Sequence, residues 1–271
     1  MPLRHIAPLH PIGFWANAGG SPFGMARSGE GWHMKRTMEF RWLLAGLLVP
    51  LLGGCASIHQ SADLGDLDQV ERLLAKGIAV DARDDFGRTP LMWAVEDLAA
   101  VRCLVERGAD VAARDAGGET ALMKAAFVGS LDVVRYLVRQ GADVEGRSAT
   151  GRTPLMRAAG NLDVVKFLVA QGADVNARDA QGDTALRWAA TFGNLDVVRY
   201  LVRQGADANV RDNQGQTPLK WARAFGHRDV ADFLARKRAM EKVGNDESKS
   251  PRRNVVAGKT PARWLLAADA R

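Results

Sequence analysis

Between Cys55 and the C-terminus the sequence holds two histidines, His59 and His227, placed far apart. A structural or catalytic metal centre draws three or four ligands from clustered Cys and His, and neither Cys-x-x-Cys nor His-Glu-x-x-His occurs. The string Val255-Val-Ala-Gly-Lys-Thr260 ends like a phosphate-binding loop, but Arg253 stands where the first glycine must be. Aspartates recur once or twice at fixed intervals as cap, turn and helix residues, which repetition explains better than acid–base catalysis. Of the two cysteines, Cys103 falls on an apolar helical stripe and reads as a core residue. No catalytic residue, metal or cofactor is therefore expected. What remains is a modifiable thiol at Cys55 and rows of Arg and aromatic side chains suited to binding.

Those rows come from a period. Gly-Ala-Asp, or a close variant, returns at Gly77, Gly108, Gly141, Gly172 and Gly205, in steps of 31, 33, 31 and 33 residues. Gly87, Gly118, Gly151, Gly182 and Gly215 keep the same steps, each two residues before a Thr. Two locked markers over five cycles make the chain an array of one small unit. Arrays expose long surfaces and enclose no pocket, which favours holding a partner over transforming a substrate.

Within the unit opening at Asp179, Gly182 supplies a turn and Thr184 can cap the helix that follows. In units reading Thr-Pro-Leu, the Pro takes the first helical position, where its missing N–H costs nothing. Leu186, Ala189 and Ala190 share one face of this first helix. A short loop is expected at Phe192–Asn194. Leu195, Val197, Val198, Leu201 and Val202 then form the stripe of a second helix, which Gly205 ends.

This pattern resembles the ankyrin repeat: a hairpin turn, Gly-x-Thr-Pro-Leu-His-x-Ala-Ala, a loop, and a second helix ending in Gly-Ala. The resemblance runs from Ser61 to about Ala239, with a partial first unit and repeats opening near Asp84, Asp115, Ser148, Asp179 and Asp212. It implies an all-α solenoid of about five to six stacked helix-turn-helix units with projecting hairpins, over residues 61–239. The family's His after Thr-Pro-Leu is replaced by Met92, Met123, Met156, Arg187 and Lys220. In the family that His ties a hairpin to the adjacent helix, so its loss puts this bonding in question. Two repeats also lack two residues between their helices, at Val95–Leu98 and Ala159–Leu162, which predicts an uneven groove rim.

Residues 34–54 have a basic start, an apolar run from Leu43 to Leu52 and small residues before Cys55, the layout of a secretory signal. The run is too short for a spanning helix, which needs about 20 residues. Leu52-Gly53-Gly54-Cys55 resembles the bacterial lipobox, which implies lipidation of Cys55 and removal of the segment before it. Ala56 after the Cys implies the outer membrane, on the periplasmic side, with residues 55–60 as a short linker. The alternative is an ordinary buried helix. Residues 1–33 show no helical or strand period and read as an upstream segment preceding a true start at Met34, or else as a long leader.

The net charge of +6 is unevenly spread. Residues 55–235 hold 22 basic and 25 acidic groups, whereas 236–271 hold 10 and 4. A slightly acidic body argues against nucleic acid along the groove. Arg83, Arg114, Arg147, Arg178 and Arg211 nevertheless occupy one hairpin slot in successive units, and Asp follows four of them. By the resemblance this slot lies along the fingers that meet a partner; the alternative is a ladder of Arg–Asp pairs stitching hairpins together. Trp93, Trp188 and Trp221 share one place on the first helix, with Lys124 and Arg157 in the middle repeats. Phe127, Phe192 and Phe225 fall in the expected inter-helix loops of the longer units. Aromatic and Arg side chains are common binding anchors, although these rings also suit packing between repeats.

The tail, residues 240–271, is basic and polar, with disorder expected over Met240–Arg253 and a possible short helix after Thr260-Pro261. The expected function is a monomeric, lipid-anchored scaffold or helper that binds another protein in the periplasm. An immunity or inhibitor protein blocking a toxin or enzyme is the alternative there, and a cytosolic regulator the alternative if the signal is unused.

Overall fold

In a computed structural model, residues 57–249 are described, with side chains to 238. The expectations for the leader, the signal and Cys55, and those for residues 250–271, lie outside the described residues. Among the described residues there are twelve α-helices and no strand. They form six pairs: α1 (Ile58–Asp63) with α2 (Leu67–Ala75), α3 (Pro90–Trp93) with α4 (Leu98–Glu106), and α5 (Ala121–Val128) with α6 (Leu131–Arg139). Then come α7 (Pro154–Arg157) with α8 (Leu162–Ala170), α9 (Ala185–Phe192) with α10 (Leu195–Arg203), and α11 (Pro218–Ala224) with α12 (Arg228–Lys249).

The markers act locally as their chemistry dictates. Thr120, Thr153 and Thr184 each accept a hydrogen bond from the amide three residues on, satisfying a helix N–H that would otherwise lack a partner. Pro90, Pro154 and Pro218 open their helices. Because two residues are missing, α3 and α7 are single turns, and α7 runs on only into a 3-10 turn at Ala158–Gly160.

Helices α1, α3, α5, α7, α9 and α11 stack in one layer, and their partners stack in a second. Leu91, Leu122, Leu155, Leu186 and Leu219 recur down the first layer, and Leu104, Leu137, Leu168, Leu201 and Leu234 down the second, all buried. Each fully buried leucine contributes roughly 1.5–3 kcal/mol. Ala126, Ala159 and Ala190, at 0% exposure, let the layers close. Cys103 is half-buried rather than inside the core, in a row with Tyr136, Phe167, Tyr200 and Phe233 packed against it. An Arg of the preceding repeat lies over three of these rings: Arg102 at 5.6 Å from Tyr136, Arg135 at 5.8 Å from Phe167 and Arg199 at 5.9 Å from Phe233.

The last helix continues to Lys249, so residues 240–249 are helical where disorder was expected. From Ala235 the chain is rich in Ala, Arg, Lys, Glu and Met, all good helix formers, and the Gly-Ala stop of earlier repeats is missing. Among the described residues, no helix is long and apolar enough to cross a membrane.

Candidate functional site

The hairpins are built by the aspartates that follow the Arg row. Asp84 Oδ1 accepts from the amides of Phe86 and Arg88 at 2.9 and 2.8 Å, and Asp212 Oδ1 from those of Gln214 and Gln216 at 2.9 and 2.8 Å. Asp115 and Asp179 repeat the arrangement, and the Ser148 hydroxyl accepts from the Arg152 amide at 3.1 Å. Neighbouring hairpins are joined by single backbone bonds, Ala116 N–H to Phe86 O, Ala149 to Gly117, Ala180 to Thr150 and Asn213 to Gln181, at 2.9–3.0 Å.

With the carboxylates turned into their own hairpins, the Arg row makes a different ladder from the Arg–Asp pairing anticipated. Arg83 Nη1 donates to the Arg114 carbonyl at 2.6 Å, Arg114 to the Arg147 carbonyl at 2.5 Å, and Arg147 to the Arg178 carbonyl at 2.8 Å. Arg178 Nη2 donates to the Arg211 carbonyl at 2.6 Å. Arg211, last in the row, donates to Gly215 O of its own hairpin at 3.0 Å. All five remain exposed. This ladder and the backbone bonds carry the inter-repeat bonding for which the family's His is missing. Gly182, at φ +77, takes the left-handed conformation this hairpin requires.

The first unit does keep that His. Nε2 of His59 lies 2.9 Å from Ala82 O and 3.0 Å from Arg88 O, both in the next hairpin. Sequence reading missed this role because the first unit lacks Thr-Pro-Leu; the signal that identifies it is Gly65-Asp66-Leu67, which follows at the family's interval.

The shared helical place 93/124/157/188/221 faces the hairpins. Trp93 Nε1 donates to Asp84 Oδ2 at 3.1 Å and Trp221 Nε1 to Asp212 Oδ2 at 2.8 Å. Lys124 Nζ takes the same role at 2.7 Å from Asp115 Oδ2, and Arg157 pairs with Glu119. Trp188 departs from the pattern: its Nε1 and Asp179 Oδ2 are both buried without a hydrogen bond. Arg152 intervenes, with Nε 3.6 Å from Asp179 Oδ2 and its guanidinium 4.6 Å from the Trp188 ring centre. Arg187, in the family's His place, lies over both Trp188 and Trp221, at 4.3 and 4.2 Å, and its Nε is 3.0 Å from Asp183 Oδ1.

Titration follows these contacts. Burial pushes the Asp84 and Asp212 carboxyls up, but hydrogen bonds more than reverse this and hold both below their usual value. Donors are the Arg88 amide and side chain, the Phe86 amide and Trp93 for Asp84, and Trp221 with the Gln216 and Gln214 amides for Asp212. Burial, against the opposing pull of Arg187, leaves Asp183 raised.

Two of the three phenylalanines are not loop residues, while Phe225 lies between helices as expected. Phe127 and Phe192 occupy the last turns of α5 and α9, because the left-handed Gly129 and Gly193 end those helices only afterwards, and Phe225 caps α11. They are 52%, 45% and 50% exposed. Four residues after each tryptophan, Phe192 lies 6.0 Å from Trp188 and Phe225 6.0 Å from Trp221, while Arg157 lies 5.5 Å from the Phe127 ring. Trp93 has no such Phe, since its helix is one turn. Beside it, Arg88 lies over both Trp93 and Phe86, at 4.1 and 5.0 Å. Phe86, 58% exposed, was also missed; its signal is that later units place Gly117, Thr150, Gln181 and Gln214 there.

The surface can therefore stack on, hydrogen-bond and ion-pair with a partner along its length. Among the described residues, no group of His, Cys, Asp and Glu is arranged to hold a metal ion. A family model for ankyrin repeats (3 copies) matches residues 58–148, 97–179 and 160–246. No curated protein matches the chain. Ankyrin repeats commonly mediate binding to other proteins and are typically non-enzymatic scaffolds. With the matched segments covering well over half of its length, and six stacked helix pairs behind them, the chain belongs to the ankyrin repeat family.

Proposed function

We propose that this is a monomeric, lipid-anchored ankyrin repeat protein that binds another protein on the periplasmic side of a bacterial envelope, at the outer membrane. The observation that carries the binding reading is the exposure of Phe192 and Phe225 against Trp188 and Trp221. Half-exposed aromatic pairs backed by Arg are the side chains that dominate protein interfaces. The reading of location rests on Leu52-Gly53-Gly54-Cys55 and the basic, apolar stretch before it. A lipid at Cys55 would confine the array to a membrane surface and raise its effective concentration near partners there.

Labelling cells with a palmitate analogue tests the location: the natural chain takes up label and Cys55→Ala does not. Absence of label from both would leave a cytosolic regulator as the better reading. Within the envelope, the array acts as a scaffold or helper of an enzyme. An immunity or inhibitor role is favoured by one observation, the fixing of the hairpins by the Arg ladder, because a surface that need not reorganise binds tightly. Deletion separates the two: loss of a helper lowers an enzyme's activity, and loss of an inhibitor releases one.

A further inference from the structure

Among the described residues, no carboxylate lies within ion-pairing distance of the five guanidiniums of the hairpin row. The ion pairs of the array are made by other residues: Arg88, Arg107, Lys124, Arg152, Arg157, Lys166 and Arg187. The nearby acids are committed elsewhere. Asp84, Asp115, Asp179 and Asp212 accept amides of their own hairpins, and the Asp of each Gly-Ala-Asp accepts the amide two residues on, as Asp110 does from Ala112 at 2.8 Å and Asp207 from Asn209 at 2.8 Å. Arg83, Arg114, Arg147, Arg178 and Arg211 thus form an exposed row of uncompensated cations. Their carbonyl acceptors orient each fork, and a guanidinium has five N–H donors, so others stay available to a ligand.

We propose that this row is a docking track for an extended acidic protein segment carrying a carboxylate at every third residue. The inference rests on the protein-binding reading above and names the partner's chemistry. Stacked helices lie about 10 Å apart, and an extended segment in the polyproline II form rises about 3.1 Å per residue with three residues per turn, so one turn matches one repeat and every third side chain faces the row. A track of single cations set in a slightly acidic body suits separated carboxylates. A polyphosphate chain, with charge at every link, would meet the carboxylates of Asp110, Asp143, Asp174 and Asp207, all exposed, along the same hairpins. The chain's own basic tail, 250–271, is excluded as the occupant by like charge.

The test is titration of the full chain by fluorescence anisotropy with labelled peptides of about 13 residues, the span of the row. One carries Glu at every third position among Gly, Ser and Ala, a second has the same composition with the Glu clustered, and a third has Gln for Glu. The periodic peptide binds at least about fivefold more tightly than the clustered one, and the Gln peptide does not bind. Arg114→Gln/Arg147→Gln/Arg178→Gln weakens the periodic peptide about tenfold. Should that variant unfold by circular dichroism, the triple Lys variant, which keeps charge but loses the fork, still binds periodic over clustered peptide but more weakly than the natural chain. Equal binding of periodic and clustered peptides overturns the proposal, as does displacement of the periodic peptide by oligothymidylate or phosphatidylglycerol vesicles. A protein partner that the triple Gln variant retains removes this inference and leaves the proposed function standing.

Discussion

Trp188 and Asp179 stand at the nine-residue separation at which Trp93 reaches Asp84 and Trp221 reaches Asp212, yet no hydrogen bond joins them. One slot in one repeating unit therefore has two energetic states, set by the neighbour. The Arg152 guanidinium lies against both members of the open pair, and Ser148, in the Asp slot of that preceding hairpin, offers it no carboxylate. Trp221→Phe removes a donor to a charged acceptor, whereas Trp188→Phe removes an N–H that bonds to nothing. Both lose similar ring area. Denaturant unfolding should place Trp221→Phe about 1 kcal/mol below Trp188→Phe in stability. Equal losses would mean that the hydrogen bond contributes nothing.

The same bond has a signature in pH. Asp212 titrates below its usual value because Trp221 and two amides outweigh the effect of its burial. A lowered folded pKa gives stability that is present above the ordinary carboxylate range, about 3.9, and is lost as pH falls through the folded value. The gap between the natural chain and Trp221→Phe is thus full at neutral pH and narrows below about pH 4. Asp183 works in the opposite sense: burial raises its pKa, so ionising it costs stability as pH rises towards the folded value. A gap for Trp221→Phe that holds constant down to acid unfolding would contradict the assignment.

Much of the frame was legible from Thr, Pro and Gly. Thr184, Pro218 and Gly205 each solve a backbone problem that any neighbour would leave unchanged, and repetition over five cycles made them visible. The Arg ladder was legible only as a row. Its acceptors are main-chain carbonyls, which no residue type announces, so Asp84 and Asp179 looked like the partners until their hairpins claimed them. Phe192 was placed in a loop because the helix end was set at the aromatic rather than at Gly193, where the left-handed turn occurs. His59 was passed over because its unit has neither Thr nor Pro to mark it.

The ladder predicts position-dependent losses. Arg147→Ala removes the side-chain bond from its hairpin to the next, leaving the backbone bond from Ala180 to Thr150, while Arg211→Ala loses only a bond within its own. Thermal unfolding should show the first variant less stable by about 1 kcal/mol than the second. A larger loss at Arg211 would mean that the inter-hairpin bonds are incidental.

At the other end, His59 ties α1 to the second hairpin through Ala82 and Arg88. Each repeat contacts only its neighbours, so the effect of losing this bond stays local. In His59→Ala, amide exchange should accelerate through α1 and α2 and remain unchanged in α6 and α8. Uniform acceleration along the array would show that the first unit is needed by the whole.

The most direct test of the account is site-specific photo-crosslinking in intact cells. A benzoylphenylalanine replaces Phe192 or Phe225 on the first-helix layer, or exposed Arg203 on the second. The account predicts that Phe192 and Phe225 crosslink to one discrete protein and that Arg203 does not. A discrete crosslink from Arg203 alone would contradict it, placing recognition on the opposite layer.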